Sequence, residues 1–85
     1  MTFSLGVPSL KPNTCTTSTF TFTGASDGDT TALGVPNALM AAGNIIYSAW
    51  VSSANTVTIR ACDINPNGPA TTAVSGTVRV DIWKH

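Results

Sequence analysis

Few side chains in this sequence are suited to acid–base or nucleophilic chemistry. The carboxylates are Asp27, Asp29, Asp63 and Asp81, and Glu is absent. The one imidazole, His85, stands at the last position, where chain ends fray and hold no fixed geometry. A hydrolase needs a nucleophile beside a base, or two carboxylates set across the bond to be cut, and the spacing here offers neither. Asp27-Gly28-Asp29 has the spacing of part of a calcium loop, but the other ligand positions of such a loop are missing. A tight turn is the expected use of that tripeptide. No Gly-rich loop opens a helix to cradle a phosphate. The reading is therefore of a non-enzyme, with no catalytic residue, no metal and no cofactor.

Cys15 and Cys62 permit a single bridge, which would stabilise the fold by about 2–4 kcal/mol. The alternative is two buried thiols in a protein assembled in a reducing compartment. Two cysteines do not decide between these, and the reading leans to free thiols. With one His and no second Cys pair, zinc is not expected. The remaining residues of interest are Arg60, Arg79, Asp81, Trp50 and Trp83. An arginine can grip a carboxylate or a row of carbonyls across a subunit boundary; the plainer use is an exposed pair worth about 0–1 kcal/mol. Two tryptophans on outward faces suit a buried interface. A sugar-stacking platform and packing against the start of the chain are the alternatives.

The elements that must position these residues are short strands. Thr16 to Thr23 alternates, with Phe20 and Phe22 on one face and Thr17, Thr19, Thr21 and Thr23 on the other, the mark of a half-buried strand. Gly24 to Asp29 is a turn cluster, and Thr30 to Val35 is a short strand ended by Pro36. Asn37 to Asn44 can make one helical turn, capped by Asn37 and stopped by Gly43. Ile45 to Ser52 places Ile45, Tyr47, Ala49 and Val51 on one face and Ile46, Ser48, Trp50 and Ser52 on the other. Thr56 to Asp63 sets Val57, Ile59 and Ala61 against Thr58, Arg60 and Cys62, and the two segments form an antiparallel hairpin through Ser53-Ala54-Asn55. A loop from Ile64 to Ser75 carries the turn chemistry of Asn65-Pro66-Asn67-Gly68-Pro69. The last strand, Gly76 to Trp83, turns Val78, Val80 and Ile82 in and Thr77, Arg79, Asp81 and Trp83 out. Five or six such strands predict an all-β sandwich or small barrel. Residues 1–13, with Pro8 and Pro12, read as an extended lead-in, and 14–85 as the β-sandwich domain. The matched segments Leu5-Gly6-Val7-Pro8 and Leu33-Gly34-Val35-Pro36 read as a coincidence rather than a repeat.

Composition limits the partners. The chain has 85 residues, 42% of them hydrophobic and only 9% charged, with a net charge of zero. A nucleic-acid binder carries a basic excess, and there is none. Disorder would need more charge and less apolar content. No apolar run approaches the roughly 20 residues that span a bilayer, so membrane insertion is not expected, and Met1-Thr2-Phe3-Ser4-Leu5 lacks the basic start of a signal peptide. A monomer's surface is commonly about 25–35% charged. A surface of Thr and Ser in place of charge points to cover by copies of the same chain.

The second half of the sequence also carries a resemblance. Gly28-Asp29 and Gly34-Val35-Pro36 precede Ala49-Trp50-Val51-Ser52-Ser53-Ala54-Asn55-Thr56-Val57-Thr58-Ile59-Arg60-Ala61-Cys62-Asp63 and the closing Ser75-Gly76-Thr77-Val78-Arg79-Val80-Asp81-Ile82-Trp83. This pattern resembles the small C-terminal domain of bacteriophage tail fibre and tailspike proteins, over about Cys15 to Trp83. The resemblance implies a jelly-roll-like antiparallel β-sandwich assembled as a homotrimeric knob. It implies a virion protein, made in the host cytoplasm, that locks fibre chains together and can touch a glycan or protein of the host surface. No residue of the pattern marks a receptor site; Arg60, Arg79, Asp81, Trp50 and Trp83 are the candidate subunit-interface residues. The competing expectation is a carbohydrate-binding module of a larger polysaccharide-degrading protein, with Trp50 or Trp83 as the platform.

Overall fold

Alternation of β-branched or aromatic residues with small polar ones favours extended backbone over helix, and the chain follows that preference almost throughout. The computed structural model describes residues 1–40, 45–64 and 70–83. Its elements run β1 (Thr2–Val7), β2 (Cys15–Thr21), β3 (Thr30–Gly34), the single-turn α1 (Asn37–Met40), β4 (Ile45–Ser53), β5 (Thr56–Asp63) and β6 (Val74–Trp83). They form two antiparallel three-stranded sheets, ordered β1-β6-β3 and β2-β5-β4. The class is all-β, as the alternation predicts. The expected continuation of the helical turn through 41–44, the turn at 65–69 and His85 lie outside the described residues.

One core joins the inner faces of the two sheets. It takes Leu5 and Val7 from β1, Val78 and Val80 from β6, Ile45 and Val51 from β4, and Val57, Ile59 and Ala61 from β5. The two central strands, β5 and β6, supply Val57, Ile59, Val78 and Val80, all at most 1% exposed. A central strand has neighbours on both sides, so its inward residues are the deepest. Leu39 of α1 closes one end of the core and is fully buried. It packs over Gly76, where an added Cβ would stand 3.1 Å from Pro36 Cγ and 3.4 Å from Leu39 Cγ. Tyr47 braces the same corner by donating its hydroxyl to the Leu39 carbonyl oxygen at 2.6 Å.

Two expectations change here. Residues 1–13 are extended, but they are not a lead-in outside the sandwich. Strand β1 pairs with β6 from Thr2↔Arg79 to Val7↔Val74, and Leu5, Val7 and Leu10 lie in the core. The prolines that suggest a linker stand after the strand, where a missing N–H costs nothing. The second change is the thiols: Cys15 and Cys62 are bonded to each other. They are register partners on β2 and β5. The Asp63 N–H donates to the Thr14 carbonyl oxygen at 2.9 Å, so the next rung, Cys15 opposite Cys62, is a pair without mutual hydrogen bonds. Such pairs bring the two Cα atoms closest, here to 4.0 Å.

The hairpin of β4 and β5 turns at Asn55, whose φ of 59° lies in the left-handed region, and the register slips by one residue between Val51 and Ser53. The two Leu-Gly-Val-Pro segments occupy comparable places. Both supply edge strands flanking β6, with Leu inward and Gly outward; β1 ends at the residue before Pro8, and β3 ends at Gly34, one residue earlier relative to Pro36.

Candidate functional site

The inner faces are packed, so interaction chemistry is confined to the two outer faces and to the strand edges. On the β2-β5-β4 sheet, the pairing aligns Thr17, Arg60 and Ser48 in one row and Thr19, Thr58 and Trp50 in the next. Arg60 leans diagonally across β4, and its guanidinium carbon lies 4.9 Å from the centroid of the Trp50 ring. A cation over an indole face at an exposed site is worth about 0.5–1 kcal/mol. Beside them the Thr58 hydroxyl donates to Ser52 Oγ at 2.7 Å. That bond allows Thr58 to be buried on a face that is otherwise open. Ile46 extends the patch and is 54% exposed.

The opposite outer face belongs to β1-β6-β3. Here Arg79 lies between Thr2 and Gly34, and Asp81 lies beside Ala32. Arg79 Nε is 3.5 Å from Asp81 Oδ2, and the Met1 ammonium is 3.9 Å from Asp81 Oδ1. The arginine side chain is 71% exposed and the aspartate 44%, so water screens this pair and it contributes about 0–1 kcal/mol. Trp83 ends the row opposite Thr30 and is 54% exposed.

Each of the five candidate interface residues therefore lies on the face opposite its strand's aliphatic stripe, as the alternation predicts. They do not form one patch. Trp50 and Arg60 lie on one outer surface, and Arg79, Asp81 and Trp83 on the other. The two rings also differ: Arg60 covers part of Trp50, whereas Trp83 stands exposed at the end of the central strand β6.

The carboxylates do not converge. Asp27 and Asp29 belong to the turn between β2 and β3. There the Ser26 N–H donates to Asp29 Oδ2 at 2.9 Å, and the Asp29 N–H donates to the Ser26 carbonyl oxygen at 3.0 Å. Gly28 takes a φ of 90°, so the tripeptide is used as a turn. Asp63 continues the inward row of Val57, Ile59 and Ala61 and is only 2% exposed. Asp81 is held on an outer face. Among the described residues no three His, Cys, Asp or Glu side chains gather as a metal site would require. No helix of the described residues is long and apolar enough to cross a membrane. Burial pushes the Tyr47 phenol above its usual pKa of 10.0.

Residue reading alone passes over the polar groups that tie the sheets together. The Thr31 hydroxyl donates to the Ala49 carbonyl oxygen at 2.7 Å and joins β3 to β4. Asn55 binds the segment after β2 by three hydrogen bonds, to Phe22, Gly24 and Ala25. The parity of β5 would have revealed the burial of Asp63, since it lies two residues beyond Ala61. The chain matches no protein-family model, no curated protein and no solved structure.

Proposed function

We propose that this chain is a structural self-assembly module: the C-terminal trimerisation domain of a phage tail fibre or tailspike, jelly-roll-like in its wider architecture, part of the virion and able to contact the host surface. The observation that carries the reading is the scarcity of charge. Lys and Arg total four and the acids four in 85 residues. The open surface consists instead of Thr and Ser rows together with exposed Ile46, Trp50 and Trp83. A free monomer with that surface is poorly protected against association, and assembly covers part of its Thr and Ser surface. The two-sheet all-β fold is compatible with such a knob, and the sequence resemblance supplies the choice of virion. The reading needs no enzymatic step, cofactor or nucleic acid.

The openness of Trp83 favours one second reading, a carbohydrate-binding module in which that ring stacks on a sugar. The solution mass by light scattering at micromolar concentration tests the first reading. A value near three times 8.7 kDa is expected, and a single-chain mass there would sink it. Quenching of tryptophan fluorescence by soluble polysaccharide, lost in Trp83→Ala and kept in Trp50→Ala, would support the second.

A further inference from the structure

We infer that copies of this chain join edge to edge by backbone hydrogen bonds, β2 of one copy pairing with β1 of the next. The inference rests on the self-assembly reading and names its joint.

The two sheets have four edge strands: β1 and β3 in one, β2 and β4 in the other. Two of these close on each other, since Thr31 of β3 donates to the Ala49 carbonyl of β4. The other two, β1 and β2, flank the opposite seam. Side chains meet there, with the Phe3 and Phe20 rings stacked at 4.7 Å between centroids.

Hydrogen-bond parity tells which backbone groups face away. Met1 exchanges both of its main-chain bonds with Val80, so the odd residues of β1 bond to β6. Thr2, Ser4 and Gly6 then aim their N–H and C=O groups off the sheet. On β2, Thr14 accepts from Asp63 and Phe22 donates to Asn55, so the even residues bond to β5. Thr17 and Thr19 aim their groups off that sheet. All five of these residues are exposed.

Natural edge strands are blunted by a charged side chain, an internal proline, a bulge or a covering element. Strand β1 reads TFSLGV and β2 reads CTTSTFT. Neither contains a charge or a proline, and their registers with β6 and β5 are unbroken. The two edges have nearly equal length, six and seven residues. The occupant that matches both is the chain itself. A β2–β2 contact is two-fold and leaves every β1 bare. A β2–β1 contact uses both edges of every copy, and a head-to-tail contact of that kind closes into a ring when its rotation allows. The half-buried Phe3, Phe20 and Phe22 stand at the same seam and lose their remaining water in such a ring.

The experiment is the solution mass of the whole chain, together with amide hydrogen exchange before and after dilution to single chains. At assembling concentration the amides of Ser4, Thr17 and Thr19 are expected to exchange at least about 100-fold more slowly than after dilution. Thr19→Pro and Ser4→Pro each delete an N–H that its own sheet does not use, so each is expected to stay folded by circular dichroism and to fail to form the ring. Thr19→Lys places a charge on the same edge without touching the backbone and is expected to do the same. Mixing Thr19→Pro with Ser4→Pro leaves one intact β2 and one intact β1, so a two-chain species is expected. If Thr19→Pro and Thr19→Lys both keep the parent's assembled mass, or if these amides exchange freely in the assembled parent, the edge joint is overturned while self-assembly stands. A parent that remains a single chain at every concentration overturns both.

Discussion

The side-chain oxygen of Asn55 accepts the N–H of Gly24 at 2.8 Å, and this contact fixes the hairpin turn to the segment that leaves β2. The same residue donates its N–H to the Ala25 carbonyl oxygen and accepts the Phe22 N–H on its own carbonyl, both at 2.8 Å. Its φ of 59° is one that Asn tolerates better than other residues with a Cβ. Turn geometry and cross-strand bonding thus meet in a single residue. Asn55→Gly keeps the backbone freedom and loses the Oδ1 acceptor, an expected loss of about 1 kcal/mol. Asn55→Ala also strains the left-handed backbone, adding about 1–2 kcal/mol. Urea denaturation of the two variants checks the order: Ala tolerated better than Gly would mean that the φ value carries no constraint.

Gly76 is required by space rather than by conformation. It lies inward on β6 beneath Pro36 and Leu39, and a methyl group there would meet Pro36 Cγ at 3.1 Å. Leu39 is fully buried and cannot swing into water. Gly76→Ala is therefore expected to cost about 1–3 kcal/mol, as overpacking of a closed core does. Gly6→Ala is the matched control on β1, since nothing lies within 4 Å of its added Cβ. Its expected effect is within about 0.5 kcal/mol. Equal melting shifts in the two variants would refute the packing account.

Tyr47 makes stability depend on pH at the alkaline end. Burial raises its pKa above 10.0, so the folded state holds the phenol proton more firmly than the unfolded chain does. The stabilisation is present in full below the unfolded value near 10 and is lost as pH rises from there through the folded value. At neutral pH, Tyr47→Phe is expected to cost about 1 kcal/mol, the bond to Leu39. Above pH 10 the parent's advantage over the variant should shrink. A difference in melting temperature that stays constant from pH 7 to 11 would remove burial of the phenol as the cause.

The outer-face arginines test where the joint lies. Arg60 already has Trp50 beneath it, and Arg79 already has Asp81. With joints at the strand edges, Arg60→Ala and Arg79→Ala are expected to shift stability by no more than about 1 kcal/mol, equally at two protein concentrations. A buried interface charge would behave otherwise. Its loss would cost several kcal/mol and would lower the melting point more in dilute solution, because assembly and folding are linked by mass action. Concentration-dependent destabilisation of either variant would move the interface onto that outer face.

Much of this architecture was legible because its signals are local. The alternation within Ile45–Ser52, Thr56–Asp63 and Gly76–Trp83 assigns inward and outward residues correctly, since parity needs no partner. The segment Ser53-Ala54-Asn55 announces the hairpin for the same reason. The rest depends on pairing across long separations. Strand β1 joins β6 across almost the whole chain, from Val7↔Val74 to Thr2↔Arg79, and six residues followed by Pro8 give no hint of a mate. Arg60 and Arg79 share an outward parity, but only the sheet order shows that they point away from opposite sides of the molecule. The disulfide was illegible because two cysteines 47 residues apart state no distance until β2 is set beside β5. That β1 and β2 are edge strands is a property of sheet order as well.

The Cys15–Cys62 bond adds stability to a ladder that is complete without it. Seven consecutive register pairs join β2 to β5, from Cys15↔Cys62 to Thr21↔Thr56, and Phe20 and Phe22 pack against the core independently of the sulfurs. Removing the bond leaves those contacts in place and releases the unfolded chain. For a loop of 47 residues the chain-entropy cost of that release is about 4 kcal/mol. The stability of a domain this size is itself about 4–13 kcal/mol, so the loss is large without being decisive. The Cys15→Ser, Cys62→Ser double variant is expected to fold at 25 °C with the parent's circular dichroism and to melt about 15 °C or more below it. Cys15 is exposed on the outer face of its sheet, so dithiothreitol should reduce the bond in the folded parent and reproduce the variant's melting curve. A double variant that is unfolded at 25 °C would show that the ladder needs the covalent rung. One that melts with the parent would show that the bond constrains nothing the strands have not already fixed.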